Sequence, residues 1–250
     1  MGRNRPEPFG FGNCGSSGGP LCPYYRQGTA EDCWECAVPD ITRPSDSQCE
    51  TCTRPPTSGS TSCSNWLCGQ STDRHFGRVE SLGFDMGQLA QVIRRYKEKH
   101  GWGTVLGRLL VGWLDERWPD SEKWNLIVGM PHAENESGRG FDPMMKVLQV
   151  ADIHSTGSYQ FDADQDAPVL VKRWATPRMR DTGSLWERKR VAEEDLYPAL
   201  FVRLPTRVQG QRVLVVDDMF TTGHSLNQVA RRLREAGAVN VDAFVFARHT

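Results

Sequence analysis

The first 80 residues contain all eight cysteines of the chain but few aliphatic side chains. Five Leu, Ile or Val residues stand there against ten Gly and eight Pro, so this segment cannot bury a conventional hydrophobic core. No charged-then-apolar signal stretch opens the sequence, and we expect a cytoplasmic protein in which thiols stay reduced. Clustered cysteines in that compartment favour metal binding over disulfides. Residues 1–80 are therefore predicted to be a cysteine-rich metal-binding region.

Two CxxC pairs give the strongest metal signal. Cys33 and Cys36 are separated by twelve residues from Cys49 and Cys52, and each pair places two thiolates on one side of a tight turn. Bound zinc would supply the folding free energy that the missing core cannot, and a four-cysteine site leaves no open position for catalysis. We predict two structural zinc ions with these ligands: Cys14, Cys22, Cys33, Cys36, Cys49, Cys52, Cys63 and Cys68.

The sequence leaves the pairing of these cysteines open. In a nested arrangement the two CxxC pairs share one ion and the outer four cysteines share the other. In an interleaved arrangement the first ion is bound by Cys14, Cys22, Cys49 and Cys52, and the second by Cys33, Cys36, Cys63 and Cys68. A disulfide scaffold and a disordered tail are the alternatives to metal binding.

Residues 81–250 have the pattern of a second, conventional domain. Apolar residues at helical spacing predict helices over residues 89–96, 105–114, 141–151 and 226–233. Short apolar runs predict strands over residues 126–130, 169–171, 199–202, 213–216 and 241–247, and the polar segment 152–166 is predicted to be a surface loop. Alternating strands and helices indicate an α/β fold, a twisted parallel sheet with helices on both faces.

Charge disfavours nucleic acid as a partner, and hydropathy argues against a membrane. The net charge of the chain is -1, and residues 1–80 contain seven Lys or Arg against nine Asp or Glu, so nucleic-acid binding is possible but not favoured. The longest apolar run, Val105 to Leu114, is too short to span a membrane and is interrupted by Arg108. We therefore predict no membrane association.

Residues 213–225 contain the most informative pattern. Four apolar residues predict a strand that ends at Asp217 and Asp218, and a Thr-Thr-Gly-His-Ser turn then opens a helix. The carboxyl end of such a strand is where an α/β sheet binds ligands. Carboxylates accept hydrogen bonds from vicinal hydroxyls, whereas a helix N-terminus with an adjacent Gly binds an anion. The order of these features predicts a ribose phosphate site, with the ribose at the acidic pair and the phosphate at Thr221, Thr222, Gly223, His224 and Ser225.

This stretch resembles the phosphoribosyl-pyrophosphate-binding motif of type I phosphoribosyltransferases. The combination with an N-terminal cysteine cluster is similar to the ComF-like branch, as are further matches at Arg95–Lys97, Arg139–Asp142, Lys172–Arg173, Thr176 and Arg188. The resemblance implies a parallel sheet with a small hood, and phosphoribosyl pyrophosphate bound with Mg²⁺.

By the same analogy the loop after the first predicted strand would bind pyrophosphate. Its expected binding residues are Pro131, His132, Arg139 and Gly140. Arg139 is the fixed cation of the loop and joins Asp217 and Asp218 as an expected catalytic residue. Two nearby carboxylates, Glu134 and Glu136, would repel pyrophosphate unless a metal bridges them. The basic segment 173–190 is expected to close over the site.

Transfer of phosphoribosyl to a small-molecule base or amine acceptor, with release of pyrophosphate, is the function that the sequence favours. Two alternatives are a non-catalytic regulator that senses phosphoribosyl pyrophosphate or a nucleotide, and a competence-type accessory protein for single-stranded DNA uptake. A homo-oligomer is possible.

Overall fold

The computed structural model describes residues 30–44, 49–55, 63–69, 72–97, 101–116, 124–132, 142–155 and 159–249. Its helices are α1 Ala30–Ala37, α2 Trp66–Gly69, α3 Gly87–Tyr96, α4 Gly101–Glu116, α5 Pro143–His154, α6 Leu185–Arg190, α7 Tyr197–Ala199, α8 Pro205–Val208 and α9 His224–Glu235. Its strands are β1 Val79–Phe84, β2 Leu126–Gly129, β3 Gln160–Phe161, β4 Leu170–Lys172, β5 Leu200–Val202, β6 Arg212–Phe220 and β7 Asn240–Arg248. Among these described helices, none combines the length and apolar character needed to cross a membrane.

Five strands form a parallel sheet in the order β1-β7-β6-β2-β3. The two longest strands, β6 and β7, pair along their whole lengths near its centre. The prediction of a parallel sheet is confirmed. Because β2 and β6 are neighbours in parallel register, the loops that follow them emerge side by side at one edge of the sheet.

The two faces of the sheet bury two different sets of side chains. On β6, Leu214 and Val216 pack with α3, α4 and α5, whereas Val213 and Val215 pack with α9. This alternation is the period of two that a strand buried on both faces requires. It confirms the predicted helices on both faces.

Helix α4 is apolar on several sides because it lies between two other helices, α1 and α5. Gly107 lies against Val150 of α5, and Gly112 lies against Trp34 of α1, so the missing side chains permit close packing on both sides. Arg108, which interrupts the apolar run, is buried and donates a hydrogen bond of 3.2 Å to Nε2 of His154. The helix begins at Gly101, earlier than the predicted start at residue 105.

Three predicted elements differ in the structure. The two short runs predicted as strands at 169–171 and 199–202 form β4 and β5, but these pair antiparallel in a separate two-stranded sheet. The predicted loop 152–166 includes the end of α5 and the edge strand β3. Strand β1 was not predicted, because Val79–Phe84 has little aliphatic content. Its Gly83 lies where an added Cβ would be 2.5 Å from Ile41, so close packing there selects glycine.

The cysteine-rich segment packs directly on the sheet. The amide of Val79 donates a 2.7 Å hydrogen bond to the carbonyl of Thr51. Cys52 and Leu67 are buried in the same cluster as β6, β7 and α9. The packing brings α2 close to the loop at the start of α9.

Candidate functional site

Two adjacent carboxylates, Asp217 and Asp218, lie toward the end of β6. The hydroxyl of Tyr96 donates a hydrogen bond of 2.8 Å to Oδ2 of Asp218, and the ammonium of Lys97 forms an ion pair with the same oxygen. Tyr96 is the last residue of α3 and Lys97 follows it. One helix end therefore brings two donors to a buried carboxylate and fixes its orientation.

Asp217 has a different environment from its neighbour. Its Oδ1 accepts a 2.8 Å hydrogen bond from the amide of Asp218. Burial, and after it the negative charge of Asp218, raise the pKa of Asp217 to about 8. Burial and the same two carboxylates raise the pKa of Tyr96 well above its usual value, so its hydroxyl remains a donor. A cation or a group with several hydroxyl donors would relieve the crowding of negative charge here.

The loop after β6 has the conformation that an anion site needs. Gly223 adopts φ +85, in the left-handed region, and an added Cβ would lie 2.7 Å from the Phe220 ring. Helix α9 begins at His224 directly after this glycine. Thr221 is exposed, and Thr222 and Ser225 are partly exposed. The first-turn amides and three hydroxyls thus lie together at the positive end of a twelve-residue helix.

The imidazole of His224 is buried rather than open to solvent. Its ring lies 6.2 Å from the Trp66 ring, centroid to centroid. Burial, followed by the charges of Lys189 and Arg188, lowers the pKa of His224. The ammonium of Lys189 also lies 4.7 Å from the Trp66 ring. The positive charges that act on His224 therefore come from the predicted closing segment, while the histidine is neutral at pH 7.

The structure describes only the two ends of the predicted pyrophosphate loop. Pro131 and His132 follow β2, whereas Arg139, Gly140, Glu134 and Glu136 lie outside the described residues. At the far end Asp142 caps α5, accepting hydrogen bonds from the amides of Met144 and Met145 at 2.8 and 3.3 Å. The N-terminus of α5 is therefore already occupied by a carboxylate.

The predicted closing segment 173–190 is partly helical. It contains a 3₁₀ turn at Met179–Asp181 and helix α6. Its Arg188 donates a 3.2 Å hydrogen bond to Oγ1 of Thr182. Arg173 lies with its guanidinium 3.8 Å from the Phe201 ring of β5. The basic end of α6 thus lies toward His224.

Four cysteines form a cluster suited to a metal ion. The Sγ atoms of Cys49, Cys52, Cys63 and Cys68 all lie within 4.8 Å of one another, and the Cys52–Cys63 distance is 3.6 Å. Tetrahedral zinc with Zn–S bonds of about 2.3 Å requires sulfur–sulfur distances of about 3.8 Å. The spacing and chemistry of these residues therefore fit zinc.

The thiols also interact as a metal site would require. A hydrogen bond from Cys68 lowers the pKa of Cys52 to about 5. The same hydrogen bond raises the pKa of Cys68, and burial raises that of Cys63. Four such thiols cannot all ionise beside one another without a cation.

This cluster corrects both predicted pairings. Cys49 and Cys52 join Cys63 and Cys68, a combination that neither the nested nor the interleaved arrangement contains. The physical reason is that β1, which follows Cys68 closely, pairs with β7 and draws both cysteine turns onto the same part of the sheet. Cys33 and Cys36 lie on α1 instead, where Arg108 Nη1 donates to Cys33 Sγ at 3.7 Å. Cys14 and Cys22 lie outside the described residues.

A buried arginine that was not predicted lies beside the cluster. Arg248 is 0% exposed, and its Nη1 donates to the carbonyl of Cys52. Within the described part of the chain, Nε and Nη2 of Arg248 have no hydrogen-bond partner. A buried guanidinium needs a negative partner, and zinc with four thiolates carries a net charge of about -2. In the sequence, Arg248 is marked only as a charged residue that directly follows the predicted apolar strand 241–247.

Comparison with known families finds a match to the C-terminal part of the chain. Residues 172–250 match the family described as phosphoribosyl transferase domain. This range includes β6, the acidic pair and the loop at the start of α9. No curated protein matches the chain.

Three solved structures are similar to the chain at low identity. An allosteric regulatory enzyme of purine biosynthesis has 19% identity over 58% of this chain and 25% of its own, with TM-score 0.35. Glutamine phosphoribosylpyrophosphate amidotransferase from B. subtilis has 16% identity over 62% and 26%, with TM-score 0.31. Orotate phosphoribosyltransferase from Mycobacterium tuberculosis H37Rv has 20% identity over 61% and 64%, with TM-score 0.31. The chain spans about a quarter of the first two proteins, and TM-scores this low do not establish a shared activity.

Proposed function

We propose that this protein is a type I, ComF-like phosphoribosyltransferase that binds phosphoribosyl pyrophosphate with Mg²⁺. The observation that carries the proposal is one continuous unit of β6, the carboxylates of Asp217 and Asp218, and the glycine loop that opens α9. This unit lies within the segment that matches the phosphoribosyl transferase domain. Its acceptor would be a base or an amine.

Each part of the unit has a role in this reaction. Asp218, held by Tyr96 and Lys97, would accept hydrogen bonds from the ribose hydroxyls. Asp217 would do the same once ligand or cation binding favours its ionised form. The backbone and hydroxyls of residues 221–225 would bind the 5′-phosphate.

Transfer requires that the bond between the anomeric carbon and pyrophosphate break while a bond to the acceptor nitrogen forms. The electron pair leaves with pyrophosphate, the acceptor nitrogen supplies the new pair, and that nitrogen then loses its proton. The two carboxylates would favour the positive charge that develops on the ribose ring. Mg²⁺, when bound, would neutralise charge on pyrophosphate. We propose Pro131, His132, Arg139 and Gly140 as the residues of the pyrophosphate loop.

A non-catalytic sensor of phosphoribosyl pyrophosphate is the second candidate. It is favoured by Asp142, whose carboxylate caps α5 where pyrophosphate would otherwise meet the helix amides. Such a protein would retain the ribose phosphate site of Asp217 and Asp218 while releasing no pyrophosphate.

Calorimetric titration with phosphoribosyl pyrophosphate and Mg²⁺ tests the proposal. We expect saturable binding in the wild type that weakens at least tenfold in the double variant Asp217→Asn/Asp218→Asn. A matched control is Asp164→Asn/Asp166→Asn, which removes two exposed carboxylates from the loop after β3 and should bind as the wild type does. Pyrophosphate release is then measured with a panel of bases and amines.

Base-dependent release would establish the transferase and identify its acceptor. Binding without release from any acceptor would support the sensor. Absence of binding in the wild type would overturn both candidates.

A further inference from the structure

Trp66 is an exposed aromatic residue of the cysteine-rich region that lies at the loop of the proposed phosphate site. It is 41% exposed and is the first residue of α2, the four-residue helix that follows Cys63 and contains Cys68. Large aromatic side chains are usually buried, so partial exposure next to a ligand loop calls for an explanation. The neighbouring Leu67, 1% exposed, anchors the helix in the core.

Two contacts join α2 to the phosphate loop. The Trp66 ring lies 6.2 Å from the His224 ring, at an interplanar angle of 38°. An added Cβ on Gly223 would lie 3.4 Å from Cδ1 of Leu67. The first helical residue of α9 and the glycine before it therefore rest on consecutive residues of α2.

The same indole also contacts a lysine of α6. Nζ of Lys189 lies 4.7 Å from the Trp66 ring centroid, a cation–π distance. Its other partner is the exposed Glu193, four residues further along the chain and 3.8 Å away, and a pair of this kind contributes little in solvent. Trp66 is thus the group that connects Lys189 of α6 with His224 of α9.

We infer that Trp66 is a positioning residue for the phosphate of the proposed substrate: it places His224 at the loop and keeps the Lys189 ammonium beside it. The inference rests on the proposed function, because it assumes that residues 221–225 bind the 5′-phosphate. It also gives the cysteine cluster a place in the site, since Cys63 and Cys68 hold both ends of the turn that carries Trp66. A metal ion at the cluster would fix that turn.

The experiment measures the affinity of the full-length, metal-replete protein for ribose 5-phosphate. We expect Trp66→Ala and Lys189→Met each to weaken binding about tenfold. Trp66→Phe should bind within about twofold of the wild type, because a phenyl ring can still contact both partners. Ile153→Ala is the control, because Ile153 is a large apolar side chain, 78% exposed, on α5 and outside both the phosphate loop and the predicted closing segment.

Metal content and circular dichroism are recorded for every variant. They separate loss of folding from loss of positioning. The chain has eight tryptophans, so the difference between the wild type and Trp66→Phe in the fluorescence change on ligand binding gives the contribution of Trp66. The change should diminish in Trp66→Phe although binding persists, and it should be unaltered in Ile153→Ala.

The outcomes distinguish this inference from the proposed function. Normal affinity in folded Trp66→Ala and in Lys189→Met, with a wild type that binds, would overturn the inference and leave the proposed function intact. If Trp66→Ala loses metal or fold, Lys189→Met decides, because it keeps the aliphatic stem and removes only the charge. A wild type that binds neither ribose 5-phosphate nor phosphoribosyl pyrophosphate would overturn both.

Discussion

The hydroxyl of Tyr96 donates a 2.8 Å hydrogen bond to Oδ2 of Asp218, a residue 122 positions later in the chain. Tyr96 is 1% exposed and Asp218 is 7% exposed, so water cannot readily replace this donor. The bond joins the end of α3 to β6 at the point where the proposed ribose site begins. It therefore couples the stability of the fold to the orientation of a carboxylate of the proposed ribose site.

Replacing Tyr96 with Phe should destabilise the protein by about 1–3 kcal/mol, because a buried carboxylate loses one donor. The control is Tyr197→Phe, which removes a 2.6 Å hydrogen bond to the exposed Glu235 and should cost less than about 0.5 kcal/mol. Urea denaturation of both variants measures the difference. Equal losses of unfolding free energy in the two variants would show that the buried Tyr96 hydrogen bond stabilises the fold no more than the exposed Tyr197 hydrogen bond does.

The raised pKa of Asp217 predicts a pH dependence of stability. Between the ordinary pKa of 3.8 and the folded value of about 8, the folded chain binds a proton that the unfolded chain has released. The stability that this proton provides is complete below pH 4 and is lost as the pH rises through about 8. The slope from this group is at most about 1.4 kcal/mol per pH unit.

Asp217→Asn should remove that slope, because its amide stays neutral throughout. Denaturation of wild type and variant between pH 5 and 8.5, without ligand, tests the sign. Asn keeps an oxygen that can accept the bond from the amide of residue 218, so we expect the variant to gain stability over the wild type as the pH rises. If stability changed with pH equally in the two proteins, Asp217 would not carry a proton in the folded chain at pH values where the unfolded chain has lost it.

The central part of the fold was readable from the sequence because local signals and burial agree there. The apolar run before Asp217, the glycine at position 223 and the helical spacing of apolar residues after it all predict the same strand-loop-helix unit, which the structure contains. Strand β1 was missed because its burial depends on pairing with β7, the last strand of the chain. No local pattern encodes a contact of that sequence separation.

The contacts of the other residues around the site could not be predicted for a related reason. Tyr96 and Lys97 were noted only within the family match at Arg95–Lys97, and Trp66 and Arg248 were not noted. All four reach the proposed site or the cysteine cluster from distant parts of the chain, so only the tertiary structure shows what they contact. The cysteine pairing likewise depends on where β1 draws its flanking turns.

Metal analysis should distinguish the observed cysteine set from the two predicted ones. Cys49→Ser and Cys63→Ser should each reduce bound zinc by the same one ion and lower the melting temperature, since both remove a ligand of one cluster. Cys36→Ser should leave that ion in place, because Cys36 lies on α1. A Cys36→Ser protein that lost the same ion as Cys49→Ser would restore the nested arrangement.

We expect the positive charge of Arg248 to stabilise the metal-bound form of the cysteine cluster. Arg248→Met keeps much of the apolar volume but removes the buried guanidinium near Cys52. We expect zinc affinity, measured by competition with a chelator, to fall at least tenfold, because the net negative charge of the site loses its counter-charge. The exposed Arg234→Met is the control for lost arginine charge. Unchanged zinc affinity in Arg248→Met would separate this residue from the cluster.

Gly223, the glycine of the phosphate loop, should tolerate a side chain less well than Gly210 does. Gly223→Ala forces a side chain into the left-handed region and within 2.7 Å of the Phe220 ring, so it adds a steric clash to the backbone strain. Gly210→Ala is a matched control, because its φ is +73 but nothing lies within 4 Å of the added Cβ. We expect Gly210→Ala to cost about 1 kcal/mol of stability and Gly223→Ala to cost about 2–4 kcal/mol.

Only Gly223→Ala should also weaken ribose 5-phosphate binding, about tenfold or more, because the loop must shift to relieve the clash. Denaturation and titration of the same two proteins measure both effects, and equal behaviour of the pair would mean that Phe220 does not confine the loop.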